Sequence, residues 1–245
     1  MLKKNTILKY IYPLSSFLIL ISLLIARFLW PSDSPEPYSD IWETISGLGN
    51  TELNPVGYIF FQIALTILGI LILIITFYIH PQMLTLEKNQ GQTKLGSFFL
   101  LLGGIGFVLT GLIPDGTIEI PGWDKFHELT SGLGAIGVLL AAFFYWLPTK
   151  NAKDKINQKY VKINIALWWI PLVLAGFAYG YAELVIKPRY DLGWYGPEWG
   201  EAGVSGFYSF SVWERILFAV IIIYMGILVL MVPKSTKIGN RKDEN

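Results

Sequence analysis

The chain has 245 residues, of which 53% are hydrophobic and only 15% charged, and its mean hydropathy is positive. That composition lies outside ordinary soluble domains, and the formal net charge of +1 gives no case for a nucleic-acid partner. The absence of cysteine excludes disulfides, thiolate metal ligands and thiol nucleophiles.

A helix needs roughly 20 apolar residues to cross a hydrocarbon layer of about 30 Å, because each residue rises about 1.5 Å and every backbone polar group must bond within the segment. Six stretches meet that requirement: 12–30, 57–79, 95–114, 126–147, 163–186 and 212–232. The first follows Lys3, Lys4 and Lys9 as a signal peptide would. Its end, Ala26-Arg27-Phe28-Leu29-Trp30, offers no small-residue cleavage site, so it reads as an uncleaved span. The expected architecture is an all-α bundle of six transmembrane helices over residues 1–233 with a polar tail over 234–245.

Of the 19 lysines and arginines, fourteen fall on one side: Lys3, Lys4, Lys9, Lys88, Lys94, Lys150, Lys153, Lys155, Lys159, Lys162, Lys234, Lys237, Arg241 and Lys242. The opposite loops hold Lys125, Lys187 and Arg189, with Arg27 and Arg215 near span ends on that side and able to snorkel outward. The positive-inside rule then places both termini in the cytoplasm and loops one, three and five outside, in what is expected to be the plasma membrane. Trp30, Trp42, Trp123, Trp194, Trp199 and Trp213 fall at the outer boundary and Trp146, Trp168 and Trp169 nearer the inner one, where amphipathic rings favour the interface. The long first and last outer loops, 31–56 and 187–211, are rich in aromatics, Gly and Pro and are expected to fold as a cap.

Helix association in lipid relies on close packing by small residues. Gly103, Gly104, Gly106 and Gly111 of span three, with Ser131, Gly132, Gly134 and Gly137 of span four, predict a tight antiparallel pair. The heptapeptide 43–49 shares Glu, Ser, Gly, Leu and Gly with 128–134 at identical spacing. That echo marks either a duplicated helical hairpin of the kind found in some transporters or a chance recurrence of small residues.

The middle of each span is free of ionisable side chains, which disfavours a proton or ion relay. Such groups collect at the outer boundary instead: Asp40, Glu43, Glu52, Asp115, Asp124, His127, Glu128, Glu183 and Glu214. His127 begins span four, and Ser131 lies one turn below on the same face. With His127 as general base, Asp115 or Asp124 as orienter and Ser46 or Ser131 as nucleophile, the set would suit hydrolysis or acyl transfer on a lipid ester. Structurally, His127 would instead bridge the third loop to span four while Ser131 bonds back to its own helix. No established catalytic motif decides the matter. The expected function is a pocket in which Asn50, Asp124, Glu128, Glu183, Glu43 and Asp40 help bind a lipid or small amphiphile, with the lipid-ester enzyme as the alternative.

Glu183, inside the outer end of span five, is expected to seek Arg27 or Arg215, and Ser211–Glu214 has the spacing of a capping box. No metal or cofactor is expected. His80 and His127 sit at opposite membrane faces, and the spacing of Asp40, Glu43, Asp115 and Asp124 matches no known calcium loop.

Two passages carry a family resemblance: Ile45-Ser46-Gly47-Leu48-Gly49-Asn50 followed by Asn54-Pro55 and Phe60-Phe61, then Gly111-Leu112-Ile113-Pro114-Asp115 followed by His127. In this order, on these spans, the chain resembles the six-span family catalogued as domain-of-unknown-function 998. More distantly it resembles the DRAM-like and Frag/Sfk-like membrane proteins and GPI-anchor-remodelling relatives. The resemblance implies six membrane helices with motif residues Ser46, Gly49, Asn50, Pro55, Pro114, Asp115 and His127 on the outer face, and no particular reaction.

Overall fold

A computed structural model describes residues 3–32, 38–86, 90–113, 115, 125–152, 156–192 and 197–232. Among them are six helices long and apolar enough to cross a membrane: α1 (Lys4–Phe28), α2 (Tyr58–Met83), α3 (Gly91–Leu112), α4 (Phe126–Asn151), α5 (Gln158–Tyr190) and α6 (Phe210–Met231). They match the expected spans in order, and the protein is an integral membrane protein. The expected tail, 234–245, lies outside the described residues.

The helices outrun the apolar stretches that announce them. α1 begins at Lys4 rather than at residue 12, and α2 and α4 continue past Pro81 and Pro148. Apolar length measures the hydrocarbon layer, whereas a helix persists into the headgroup zone as long as its backbone groups are satisfied. Near Pro81, Gln82 Nε2 donates to the Tyr78 carbonyl at 2.9 Å. Near Pro148, Thr149 Oγ1 lies 2.9 Å from the carbonyl oxygens of both Tyr145 and Trp146.

α2 occupies the centre, packing against α1, α3 and α6 through fully buried Leu68, Ile72, Ile75 and Ile79. The first helix closes against the last. Lys4 Nζ donates to the carbonyls of Leu230 (3.1 Å) and Val232 (2.7 Å), covering acceptors that the end of α6 leaves free, and Tyr12 Oη donates to the Ile222 carbonyl at 3.2 Å. Large apolar side chains face outward elsewhere, with Leu184 80% and Phe28 76% exposed, an arrangement that suits lipid and not water.

The glycines of α3 divide between two neighbours. A Cβ on Gly103 or Gly106 would meet the α4 backbone at 3.0 and 2.5 Å, whereas one on Gly104 or Gly111 would meet Leu73 or Thr66 of α2. Gly134 and Gly137 return the contact from α4, but Gly132 has nothing within 4 Å of an added Cβ. The expected pair therefore forms, with Gly132 outside it. The sequence echo has no structural counterpart, because Ser46–Gly49 is a 3-10 turn in the first loop and its partner lies inside α4.

Candidate functional site

The loops expected to form a cap do meet at one end of the bundle, here called the cap end. Ser209 Oγ donates to the Ile41 carbonyl, Ser211 Oγ to the Trp42 carbonyl at 2.8 Å, and the amide of Ile45 to Glu214 Oε2 at 2.6 Å. These three bonds stitch the first loop to the start of α6. Trp199 is fully buried beside Ala182 and Ile186, and Trp30 and Trp213 are also buried. These tryptophans are cap core rather than an interfacial belt, because the folded loops cover them.

Glu214 corrects the capping-box expectation. Ser209, not Ser211, caps α6, accepting from the Ser211 amide, which leaves Glu214 free to reach the first loop.

The arginines of the cap end gather around Tyr38. Arg215 Nη2 donates to Tyr38 Oη at 2.6 Å, the Arg27 guanidinium lies 4.6 Å from the ring centroid, and Asp40 Oδ1 lies 3.4 Å from Arg27 Nε and 3.9 Å from Arg215 Nη2. Burial pushes the Tyr38 phenol up to about 12, against the opposing pull of Arg215. The Asp40 side chain is 67% exposed, so these ion pairs orient the loop more than they stabilise it.

Glu183 pairs with neither of the arginines expected for it. It sits in a π-helical turn, Ala182–Ile186, and its Oε2 is 3.3 Å from Lys187 Nζ. The pairing is local because Lys187 follows one turn later on the same helix face.

Beneath the cap lies a cavity of about 690 Å³, walled by α2 to α6 and by both cap loops. Phe61, Leu65, Phe107, Ile136, Leu172 and Phe218 supply apolar wall, and Ser46, Thr110, His127, Ser131, Tyr179 and Glu214 bring polar groups to it. Its lining runs down α6 from Phe210 to Ile221, about 16 Å at 1.5 Å per residue, or roughly half the hydrocarbon layer. Gly132 of α4 and Gly176 of α5 face it with nothing within 4 Å of an added Cβ. A smaller cavity of about 250 Å³ lies deeper between α4 and α5 and includes buried Asn164 and Trp168.

His127 is the central polar group. It is 5% exposed, and its Nδ1 lies 3.1 Å from the Ile113 carbonyl oxygen at the end of α3. A carbonyl only accepts, so Nδ1 carries the proton, and Nε2 presents a lone pair in the neutral ring. That Nε2 is buried with no hydrogen-bond partner among the described residues.

Over residues 14–231, the chain matches the model of a family described as a protein of unknown function, DUF998. The chain belongs to this family. No curated protein and no solved structure matches it.

In this DUF998 member the described motif residues are brought to the cap end but not into one constellation, and Pro114 lies outside the described residues. Asp115 Oδ2 accepts from Asn50 Nδ2 at 3.0 Å, and its carbonyl accepts from the Thr51 amide at 3.2 Å, so Asp115 and Asn50 clamp the first loop to the third. Asn50 Oδ1 is occupied by the Glu52 and Leu53 amides. Ser46 Oγ donates to Thr44 Oγ1 at 2.9 Å, and Ser131 Oγ donates to the Glu128 carbonyl at 3.0 Å. Glu128 is exposed and Glu43 half-buried, and Asp124 lies outside the described residues. Thus Ser46, His127 and Ser131 share the cavity, whereas Asp40, Asn50, Asp115, Glu128 and Glu183 are absent from its lining. Among the described residues no group of three or more His, Asp or Glu is placed to hold a metal ion.

Two residues gained importance that sequence reading withheld. Glu214 lines the cavity instead of capping its helix. Asn54, quoted only as part of the resemblance, is fully buried and joins α1, the first loop and α2. The signal for Asn54 was a polar residue between two apolar stretches, followed by proline. The local signal at Glu214, the Ser211–Glu214 spacing, pointed to a helix cap and not to the cavity.

Proposed function

We propose that this DUF998 protein binds a lipid or small amphiphile in the cavity beneath its cap. The observation that carries the reading is an apolar cavity of about 690 Å³ with buried His127 on its wall, the Nε2 of which has no hydrogen-bond partner among the described residues. Ligand sites are typically about 300–1,000 Å³, mostly apolar, with a few placed polar groups. A buried acceptor left unmet is costly unless a ligand or water completes it.

Gly132→Phe and Gly176→Phe test the proposal. Each puts a ring where no atom lies within 4 Å of an added Cβ, and replacing a helical glycine favours the helix by up to about 1 kcal/mol. Copurifying lipid, measured by mass spectrometry after extraction in a neutral detergent, should fall about ten-fold or more, the equivalent of roughly 1.4 kcal/mol, with thermal stability unchanged or raised. Undiminished lipid in both variants would sink the reading.

A lipid-ester hydrolase or acyltransferase is less well supported. The Ile113 carbonyl occupies the His127 nitrogen that an orienting carboxylate would take, and both serine hydroxyls donate elsewhere. A distant likeness to DRAM-like or Frag/Sfk-like proteins rests on the same outer motifs and adds no residue to this site.

We further propose that the cap end faces outward from the plasma membrane, on the strength of the fourteen lysines and arginines assigned to the other side. The parent chain has no cysteine, so a single Lys150→Cys or Ser39→Cys variant reports its own location. An impermeant maleimide should label position 39 in intact cells and position 150 only after permeabilisation; the reverse pattern would invert the topology.

A further inference from the structure

The head-group chemistry of the ligand follows from which polar groups reach the cavity and which do not. Glu214 lies one turn into a membrane-spanning helix and lines the cavity. Among the described residues no lysine or arginine nitrogen is within 4 Å of its carboxylate. Its neighbour Arg215 bonds to Tyr38 and approaches Asp40, so its charge acts on Glu214 without forming an ion pair with it. The Ile45 amide occupies Glu214 Oε2 and the Ser46 amide and hydroxyl also lie against this carboxylate, which offers about four acceptor positions in all.

The second polar residue is His127, which lines the cavity, donates from Nδ1 to the Ile113 carbonyl and leaves Nε2 without a hydrogen-bond partner among the described residues. Among the described residues no lysine or arginine lines the cavity, whereas Tyr208, Phe210 and Trp213 do. A carboxylate and an imidazole acceptor beside aromatic faces complement a cation that donates hydrogen bonds. They oppose a phosphate or carboxylate head, which would meet like charge and find no lysine or arginine among the described lining residues.

Resting on the binding reading above, we infer that the cavity takes amphiphiles whose head is a primary ammonium, with Glu214 as its counter-ion, His127 Nε2 as a hydrogen-bond acceptor and the apolar wall holding the tail. Such a head could belong to a free long-chain amine or to an aminophospholipid. The first carries no phosphate to be accommodated.

The test compares heads on one tail. Purified protein in a neutral maltoside detergent is titrated with radiolabelled dodecylamine, dodecanol and dodecyl phosphate in a scintillation-proximity assay, with a lyso-phosphatidylethanolamine arm to separate the two sources. Dodecylamine is expected to bind at least about ten-fold more tightly than dodecanol, and dodecyl phosphate more weakly than either. Glu214→Gln, whose amide oxygen can still accept from the Ile45 amide, should abolish the amine preference while leaving dodecanol binding intact. Glu183→Gln, which removes a carboxylate outside the cavity lining, should leave the preference unchanged.

Binding of the amine alone identifies a free amine, and comparable binding of the lyso-lipid identifies an aminophospholipid. Equal affinity for amine and alcohol in the wild-type protein overturns the inference while the cavity reading stands. So does an amine preference that survives Glu214→Gln or is lost equally in Glu183→Gln. If none of the probes binds, the cavity reading falls with it.

Discussion

Gly137→Leu is expected to abolish recovery of folded, monodisperse protein. A Cβ at this position would lie 2.6 Å from the Gly103 amide nitrogen and 2.8 Å from both Gly103 Cα and the Phe99 carbonyl oxygen. All three are backbone atoms of α3, so no side chain can rotate aside. Overpacking in cores whose side chains can shift costs about 1–3 kcal/mol. Here relief would require α3 to move off α4, and α3 is held on its other face by Gly104 and Gly111 against α2. Association in lipid has no hydrophobic drive to offset the lost packing. Fluorescence-detected size exclusion provides the measurement, with Gly132→Leu as the control that should elute normally. A sharp, wild-type-like peak for Gly137→Leu would show that the close crossing of α3 and α4 is not needed.

The second large effect is expected at Asn54. Its Nδ2 donates to the carbonyls of Ala26 (3.1 Å) and Leu48 (3.0 Å), its Oδ1 accepts from the Gly57 amide (3.1 Å), and the residue is fully buried. Ala26 lies in the last turn of α1, where carbonyls lack a next-turn donor. One side chain thus closes the end of α1, holds the 3-10 turn of the first loop and starts α2. Asn54→Ala removes three hydrogen bonds and leaves buried partners unmet, at about 1–3 kcal/mol for each such group, and should lower the thermal midpoint by several degrees or prevent folding. Asn54→Asp should be no better, because an acceptor would replace the amide donor facing two carbonyls. A midpoint for Asn54→Asp equal to that of the parent would refute this account.

These two positions show how unevenly the fold could be read. Gly103, Gly106, Gly134 and Gly137 announce a helix contact by type and spacing, and that contact forms. The same spacing cannot say that Gly104 turns to α2 or that Gly132 meets nothing, since each glycine looks alike until its neighbours are placed. Ser46, His127 and Ser131 were legible as polar groups of the cap end, and they do share one cavity. The expected partnership of His127 with Asp115 does not form, because the Ile113 carbonyl and Asn50 are nearer partners for each.

Sequence by itself determined that six helices lie in lipid and that ionised groups withdraw to their ends, because hydrophobic length and charge are carried by each stretch without reference to the others. Tertiary structure alone decided that Glu214 reaches the Ile45 amide rather than its own helix, that Glu183 meets Lys187, and that Gly132 and Gly176 border a cavity. Those outcomes depend on which distant segments are brought within a few ångströms of one another, and local composition holds no record of that.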